Sequence, residues 1–465
     1  MLCAAAPPRV TARVTMVPAV GPKVPLVDLG DGTALLTDQY ELTMLQAALR
    51  SGTEGRRAVF EVFARSLPAG RRYGVVAGTG RLLDAIEAFR FGDAELEFLG
   101  ENGIVDEPTV RWLEKYRFTG NVWGYPEGEC FFPESPILMV EGTFGEAVLL
   151  ETLALSILNH DCAIASAASR MVQAAQERPI IEMGSRRTHE RAAVAAARAA
   201  YIAGFTTTSN LAAGRLYGVP TAGTSAHSFT LLHDSERHAF EAQLAALGEG
   251  TTLLVDTYDV ERAVRTAVEL AGPGLGAVRI DSGDLGVMAR RVREQLDSLG
   301  AHGTRIVVTG DLDEYGIAAL GAAPVDGYGV GTSLVTGSGA PTASLVYKLV
   351  ARADGPREDA PMRPVAKRST GKPSRGGRKT AVRRVDGHGV AYAETVFVTE
   401  PAPGPHDRVL QVPLVRDGEV VGREALRVAR ERHARSVAEL PPTARRLSRG
   451  EPAVPTEFVN GGPRR

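Results

Sequence analysis

Five short segments carry the side chains that could do chemistry, and each follows an apolar run. They are "GTSAH" after "VPTA", "MGSRRTH" after "IIE", "DSGD" after "AVRI", "GDLDE" after "RIVVT" and "GTS" after "GYGV". His227 closes the first. An imidazole there could be a structural group or a catalytic one. Of the chain's nine histidines it has the best claim, because its loop should converge with the others. His189, after an arginine pair, is the second candidate.

The other segments point to anion handling. Arg186 and Arg187 can each grip phosphate or carboxylate through two parallel hydrogen bonds. A salt bridge to the helix starting near Glu190 is the competing use. Arg279 lies inside the run "VRID", where a charge needs a partner; a bound anion is expected there, with an internal acid as the alternative. Asp281 and Asp284 are three residues apart. Such carboxylates hold ribose hydroxyls or magnesium, although Asp284 could equally cap the next helix. The turns Gly310-Asp311 and Gly331-Thr332 let backbone N–H groups approach a phosphate closely at a helix N-terminus.

Strands and helices must bring these segments together. The runs "PIIEM", "YIAGF", "VPTAG", "TLLVD", "AVRID", "RIVVTG" and "GYGVG" read as strands, and "HERAAVAAARAA" and "GVMARRVREQL" as helices. In the second helix Met288, Val292, Leu296 and Leu299 share a face. This alternation predicts an α/β fold with parallel strands and outer helices, a closed or nearly closed (β/α) barrel over 151–350. The competing architecture is an open doubly wound sheet. A barrel gathers every loop named above on one face.

Upstream, "LLTDQYELTMLQAAL" predicts a helix with Asp38 as its cap, Glu41 three residues on and Leu42, Leu45 and Leu49 along one face. "AVFEVFARSLP" reads as a strand. Residues 25–150 are expected to form a smaller α/β domain and 1–24 a disordered leader, with Met16 an alternative start. Residues 351–400 form a basic loop returning to that domain, and 401–465 a variable, partly disordered tail. Residues 362–384 hold nine basic residues and no acid. This stretch reads as a solvated loop, or as a flap bringing positive charge to a phosphate site.

Composition excludes several classes. The 465 residues are 44% hydrophobic and 23% charged, with a net charge of -2, which gives no general pull toward nucleic acid or membrane. There is no run of 18 apolar residues, so no membrane-spanning helix is expected. Three scattered cysteines fit neither a disulfide framework nor a metal cluster and point to a reducing, cytoplasmic setting.

Taken in order, "LTDQYELTM", "FEVFARSLPAGRRYGVVAG", "PEGECFFPESPILMVEG", "EMGSRRTHE", "FTTTSNLAAGRLYGVPTAGTSAHSF", "VRIDSGDL", "GVGTSLVTG" and "PVAKRSTGKPS" closely resemble the nicotinate phosphoribosyltransferases over roughly residues 33–395. The resemblance implies the irregular barrel of type II phosphoribosyltransferases. It implies transfer of phosphoribosyl from phosphoribosyl pyrophosphate to nicotinate, coupled to ATP through a phosphohistidine, with Mg2+. His227 falls on the family's phosphorylated position. Tyr40, Thr224 and Arg279 fall on its nicotinate contacts, and Thr332, Gly331 and Gly310 on its phosphoribosyl contacts. Relatives acting on nicotinamide have counterparts of Arg186 and Asp281. In the family the tyrosine at Tyr40 enters a neighbouring subunit's site, which implies a homodimer with the site at the subunit interface. The chain departs from the family pattern at Met183, where many relatives carry an aromatic residue, and at Glu190. A nicotinamide-specific transferase and a non-catalytic metabolite-binding protein are the rival readings.

Overall fold

One helix belongs to two hydrophobic cores. Glu151–Ala175 has 25 residues, about 37 Å at the usual rise of an α-helix. Leu153, Ile157, Leu158 and Cys162 of its first half pack into one core. Ile164, Ala168, Met171 and Ala175 of its second half pack into another. With its preceding turn, Phe144–Ala175 is long and apolar enough to cross a membrane by length and composition, with an 18-residue window of mean hydropathy 1.4. Run length alone had missed this, because isolated polar residues interrupt the stretch. Burial between two cores accounts for its character. The computed structural model describes residues 33–367, 374–398 and 400–459; the expected leader 1–24 lies outside the described residues.

The first core covers a seven-stranded antiparallel sheet. Its strand order is Met362–Pro364, Leu345–Ala353, Arg57–Ala64, Leu138–Thr143, Asn121–Gly124, Val412–Arg416 and Glu419–Val420. Leu42 and Leu45 of helix Gln39–Ser51 are buried against it, as their spacing predicts. Asp38 occupies the N-cap position without a side-chain cap bond. Glu41 does not fold back on its own helix; it turns inward and accepts from Thr37 and Thr152 instead.

Two expectations need correction. The N-terminal body is not a contiguous 25–150 unit, because strands from 345–364 and 412–420 complete its sheet. Nor is the chain after 401 loose. Leu410, Leu414 and Val415 are buried in the first core. Helix Leu426–Ala438 is tied to the barrel by Arg430, which donates to the carbonyls of Tyr201 at 2.5 Å and Gly204 at 2.9 Å. Thr456–Val459 pairs in parallel with Ala391–Phe397. Burial of these apolar positions outweighs the local polar composition that suggested a tail.

The second core fills a parallel sheet of β1 (Ile180–Glu182), β2 (Thr207–Thr208), β3 (Thr252–Leu254), β4 (Ala277–Ile280), β5 (Arg305–Val308) and β6 (Gly327–Val330). The order is β2-β1-β6-β5-β4-β3, and a single parallel bridge adds Thr221 beside Thr208. This is the sequential ring of a barrel cut at one place, between Thr221 and β3. It is not the double winding that was the alternative. The expected strand "YIAGF" differs: Tyr201 and Ile202 finish the alanine-rich helix Glu190–Ile202, and the strand begins only after the left-handed Gly204. Helix Leu285–Ser298 buries Val292 and Leu296 as expected.

Candidate active site

The open seam of the barrel is where the chemistry collects. Asp256 follows β3 and Asp281 follows β4, at matching positions of paired strands. One Asp256 oxygen accepts from the Asp281 backbone N–H at 2.9 Å and from the Ser282 hydroxyl at 2.7 Å. The other, Oδ1, is buried without a hydrogen-bond partner among the described residues. His227 opens the short helix His227–Leu232 on the opposite lip of the seam. Its Nδ1 lies 3.1 Å from Thr257 Oγ1. Its Nε2 lies 3.9 Å from Asp256 Oδ1 and 3.9 Å from Asp281 Oδ2. The remaining Asp281 oxygen accepts from Thr309.

Arg279 crosses the same seam by donating to Thr224 Oγ1. Its Nε is buried and has no partner among the described residues. Burial draws its pKa down; Asp281 and Asp256 oppose that, and Arg186 adds to it. A guanidinium nonetheless stays charged, so Arg279 keeps a buried donor that no described residue uses. A planar carboxylate is the natural partner.

Beside this cluster is a cavity of about 150 Å³ lined by Met183, Arg186, Arg187, Asp281, Thr309, Gly310, Asp311, Gly329, Gly331 and Thr332. Gly310 has φ 122°, and a Cβ there would lie 2.7 Å from the Asp281 carbonyl oxygen, so only glycine fits. Asp311 follows in the left-handed region at φ 50°. Met183 packs over Gly329, where an added Cβ would come 2.8 Å from its sulfur. The cavity therefore has a flexible thioether on one wall, with guanidinium groups and glycine turns on the others.

The expected residues fall into three groups. His227, Thr224, Arg279 and Asp281 form one linked cluster. Arg186, Asp281, Gly310, Gly331 and Thr332 line one cavity, and Asp281 belongs to both. Tyr40 stands apart on helix Gln39–Ser51, 44% exposed. Burial, and then the neighbouring Glu151, push its phenol pKa up. His189 caps the helix Glu190–Ile202 by accepting from Arg191 N–H at 3.3 Å. Asp284 caps Leu285–Ser298 through Val287 N–H at 3.0 Å. Arg186 and Arg187 make no ion pair among the described residues, and Glu190 lies nearest His189, at 3.6 Å.

Asp256, Thr257 and Thr309 were not singled out in the sequence. The signal was there: "TLLVD" and "AVRID" both end in an acid just past paired strands. The basic stretch 362–384 divides: residues 362–364, 366 and 367 are exposed, as a solvated loop would be, whereas its C-terminal end is packed into the fold. Lys379 is buried against Glu61, Arg383 is buried against Glu394, and Arg384 pairs with Asp407.

No group of three or more His, Cys, Asp or Glu side chains suited to a metal occurs among the described residues. Magnesium does not require one, since it binds through one or two carboxylates plus substrate phosphates. Asp281 and the unpartnered Asp256 Oδ1 fit that pattern.

A seamed parallel barrel with a cavity of arginines and glycine turns at the carboxyl ends of its strands is the plan of a barrel enzyme acting on phosphorylated small molecules. Residues 35–159 match the nicotinate phosphoribosyltransferase (NAPRTase) N-terminal domain. A nicotinate phosphoribosyltransferase of Mycobacterium tuberculosis (strain ATCC 25618 / H37Rv) is 60% identical over 443 residues, 93% of this chain and 96% of the relative. The crystal structure of human nicotinic acid phosphoribosyltransferase aligns with a TM-score of 0.76 at 26% identity, over 92% of this chain and 97% of that one. The fold is also that of a nicotinate-nucleotide pyrophosphorylase from Pyrococcus furiosus, with a TM-score of 0.72 at 24% identity, over 92% of this chain and 99% of that one. The chain belongs to the nicotinate phosphoribosyltransferase family.

Proposed function

We propose that the chain joins nicotinate to the phosphoribosyl group of phosphoribosyl pyrophosphate, giving nicotinate mononucleotide and pyrophosphate, and couples this to ATP through phosphorylation of His227. The observation that carries the reading is the meeting of Arg186 with the Gly310 and Gly331 turns in one cavity whose Asp281 also faces His227, with Arg279 and its unused buried donor close to the same Asp281.

The pyridine nitrogen is already a nucleophile, so the ring needs orientation more than proton transfer. Arg279 holds its carboxylate, with Thr224 fixing the guanidinium. The glycine turns, Thr332 and Arg186 receive the phosphates. Pyrophosphate leaves as the anomeric carbon gains positive charge, and fixed positive groups stabilise the departing charge. Magnesium, when bound, neutralises phosphate charge; Asp281, with Asp256, would hold it. His227 takes the terminal phosphoryl group of ATP, releasing ADP, and later gives it to water. With Nδ1 engaged by Thr257, Nε2 is the nitrogen facing the carboxylates. Phosphorylation adds up to about two negative charges to this loop. That change reshapes the site and raises affinity for the sugar donor.

Tyr40, exposed and not among the residues lining the cavity of its own chain, stacks on the ring in a partner's site, so the working form is a homodimer. Buried free Cys130 and Cys162 agree with a reducing, cytoplasmic setting. The deciding assay is pyrophosphate release from nicotinate and phosphoribosyl pyrophosphate with magnesium, run with and without ATP. Release stimulated by ATP is expected. No release under either condition would revive a purely ligand-binding role, and a preference for nicotinamide in competition would reassign the substrate.

A further inference from the structure

Beneath the two glycine turns lies a buried ionic cluster that the mechanism above does not use. Glu314 opens helix Glu314–Ala319, three residues after Asp311. Gly337 and Ser338 follow the short helix Thr332–Val335, which starts at Gly331. One Glu314 oxygen accepts from Arg71 Nη1 and from Arg170 Nε, both at 2.9 Å. The other accepts from the Ser338 hydroxyl. Arg71 also donates to the Gly337 carbonyl at 2.8 Å. The three charged side chains are 4%, 5% and 3% exposed for Arg71, Arg170 and Glu314.

The cluster is costly as mere packing. Two guanidinium groups share one carboxylate, and a buried ion pair is weak evidence of stability. What it does fix is geometry. Arg71 comes from the N-terminal body and Arg170 from the helix common to both cores. Arg170 also donates to the Gly70 carbonyl at 2.7 Å and the Leu447 carbonyl at 3.1 Å. Ser338 is held at φ 53°, in the left-handed region that non-glycine residues avoid, so its bond to Glu314 is maintained against backbone preference. Burial opposes ionisation of Glu314, yet Ser338 and Arg71 hold its carboxyl below the usual range.

We propose that Glu314 is a positioning residue, clamping the Gly310-Asp311 and Gly331-Thr332 turns at the spacing at which both meet one phosphorylated ligand. This rests on the reading that the cavity takes the phosphoribosyl donor. A displacement of even an ångström at such turns lowers affinity for phosphate while leaving the Arg279 cluster untouched.

The test uses the full chain and two readouts: calorimetric binding of phosphoribosyl pyrophosphate, and the separate KM values for donor and nicotinate. E314Q keeps the side-chain volume and removes the charge. S338A removes one hydrogen bond and leaves the ion triad intact, so the proposal stays testable where E314Q does not fold. E129Q is the control; it disrupts another buried ionic cluster, with Arg383 and Arg408, that lines no part of the cavity. E314Q is expected to weaken donor binding about tenfold, and S338A about threefold, with the nicotinate KM changed less than about twofold. E129Q is expected to lower the melting temperature without that split. Donor binding unchanged in both variants, or both KM values rising together as in a general loosening, would overturn the proposal. If the wild type binds the donor but releases no pyrophosphate with nicotinate, the proposed reaction falls and the positioning role stands. Failure of the wild type to bind the donor removes both.

Discussion

His227 Nδ1 and Thr257 Oγ1 stand 3.1 Å apart across the one opening in the barrel. No backbone ladder joins Thr221 to β3 among the described residues, so side chains span the gap there. The imidazole is thus held on one nitrogen, while the other faces Asp256 and Asp281 at 3.9 Å. H227N keeps a polar group of similar reach but cannot carry phosphorus. Pyrophosphate release by this variant is expected to proceed weakly and equally with and without ATP. Continued stimulation by ATP would remove the histidine from the coupling step.

Asp256 reaches the same imidazole from below, with one oxygen anchoring the Asp281 loop and the other unpartnered. D256N preserves the size and one acceptor but removes the charge. The melting temperature is expected to change little, while ATP-stimulated turnover falls about tenfold or more, as for loss of a group that orients an active histidine. An unaltered ratio of turnover with and without ATP would show that this carboxylate is only a loop anchor.

Arg279 offers a planar fork fixed by Thr224, and lysine cannot reproduce that fork. R279K is expected to raise the nicotinate KM by roughly 100-fold, about 2.7 kcal/mol, with donor affinity within a few-fold of the wild type. Steady-state kinetics with each substrate varied in turn reads this directly. An equal loss for both substrates would argue against a carboxylate contact.

His433 predicts a pH dependence of stability. It is buried, its Nε2 lies 2.9 Å from Ser169 Oγ, and burial, helped by Arg430, draws its pKa down from 6.5 to about 4. Between those two values the unfolded chain binds a proton that the folded chain refuses. Stability from this group is therefore full above about pH 6.5 and is lost as pH falls toward 4. Glu41, buried and raised to about 7, acts with the opposite sign, losing stability as pH rises from 4.5 through 7. Comparing H433Q with the wild type in thermal melts from pH 7 to 4.5 isolates the first effect; the variant should show the shallower acid decline.

The parallel strands and the convergence of their loops were legible because each strand is an apolar run ended by glycine or acid, and connectivity of that kind leaves few topologies. Five of the strand-end residues chosen on that basis, Arg186, Asp281, Gly310, Gly331 and Thr332, line a single cavity. Less legible were contacts made by pairing across the chain. Asp256 looks like any acid after a strand until β3 is laid beside β4. Lys379 and Arg383 look like a free basic stretch until Glu61 and Glu394, far away in sequence, are placed against them. The strand Val412–Arg416 carries too few residues to announce itself, and its place between Asn121–Gly124 and Glu419–Val420 defines it.

Helix Glu151–Ala175 has a thermodynamic consequence. Its two halves are the walls of different cores, yet it is one continuous run of hydrogen-bonded turns. Melting either body would strip apolar surface from a rod still clasped by the other. Heating should therefore yield one endotherm rather than two, and a proline placed near its midpoint, at Ala163, should split that single transition.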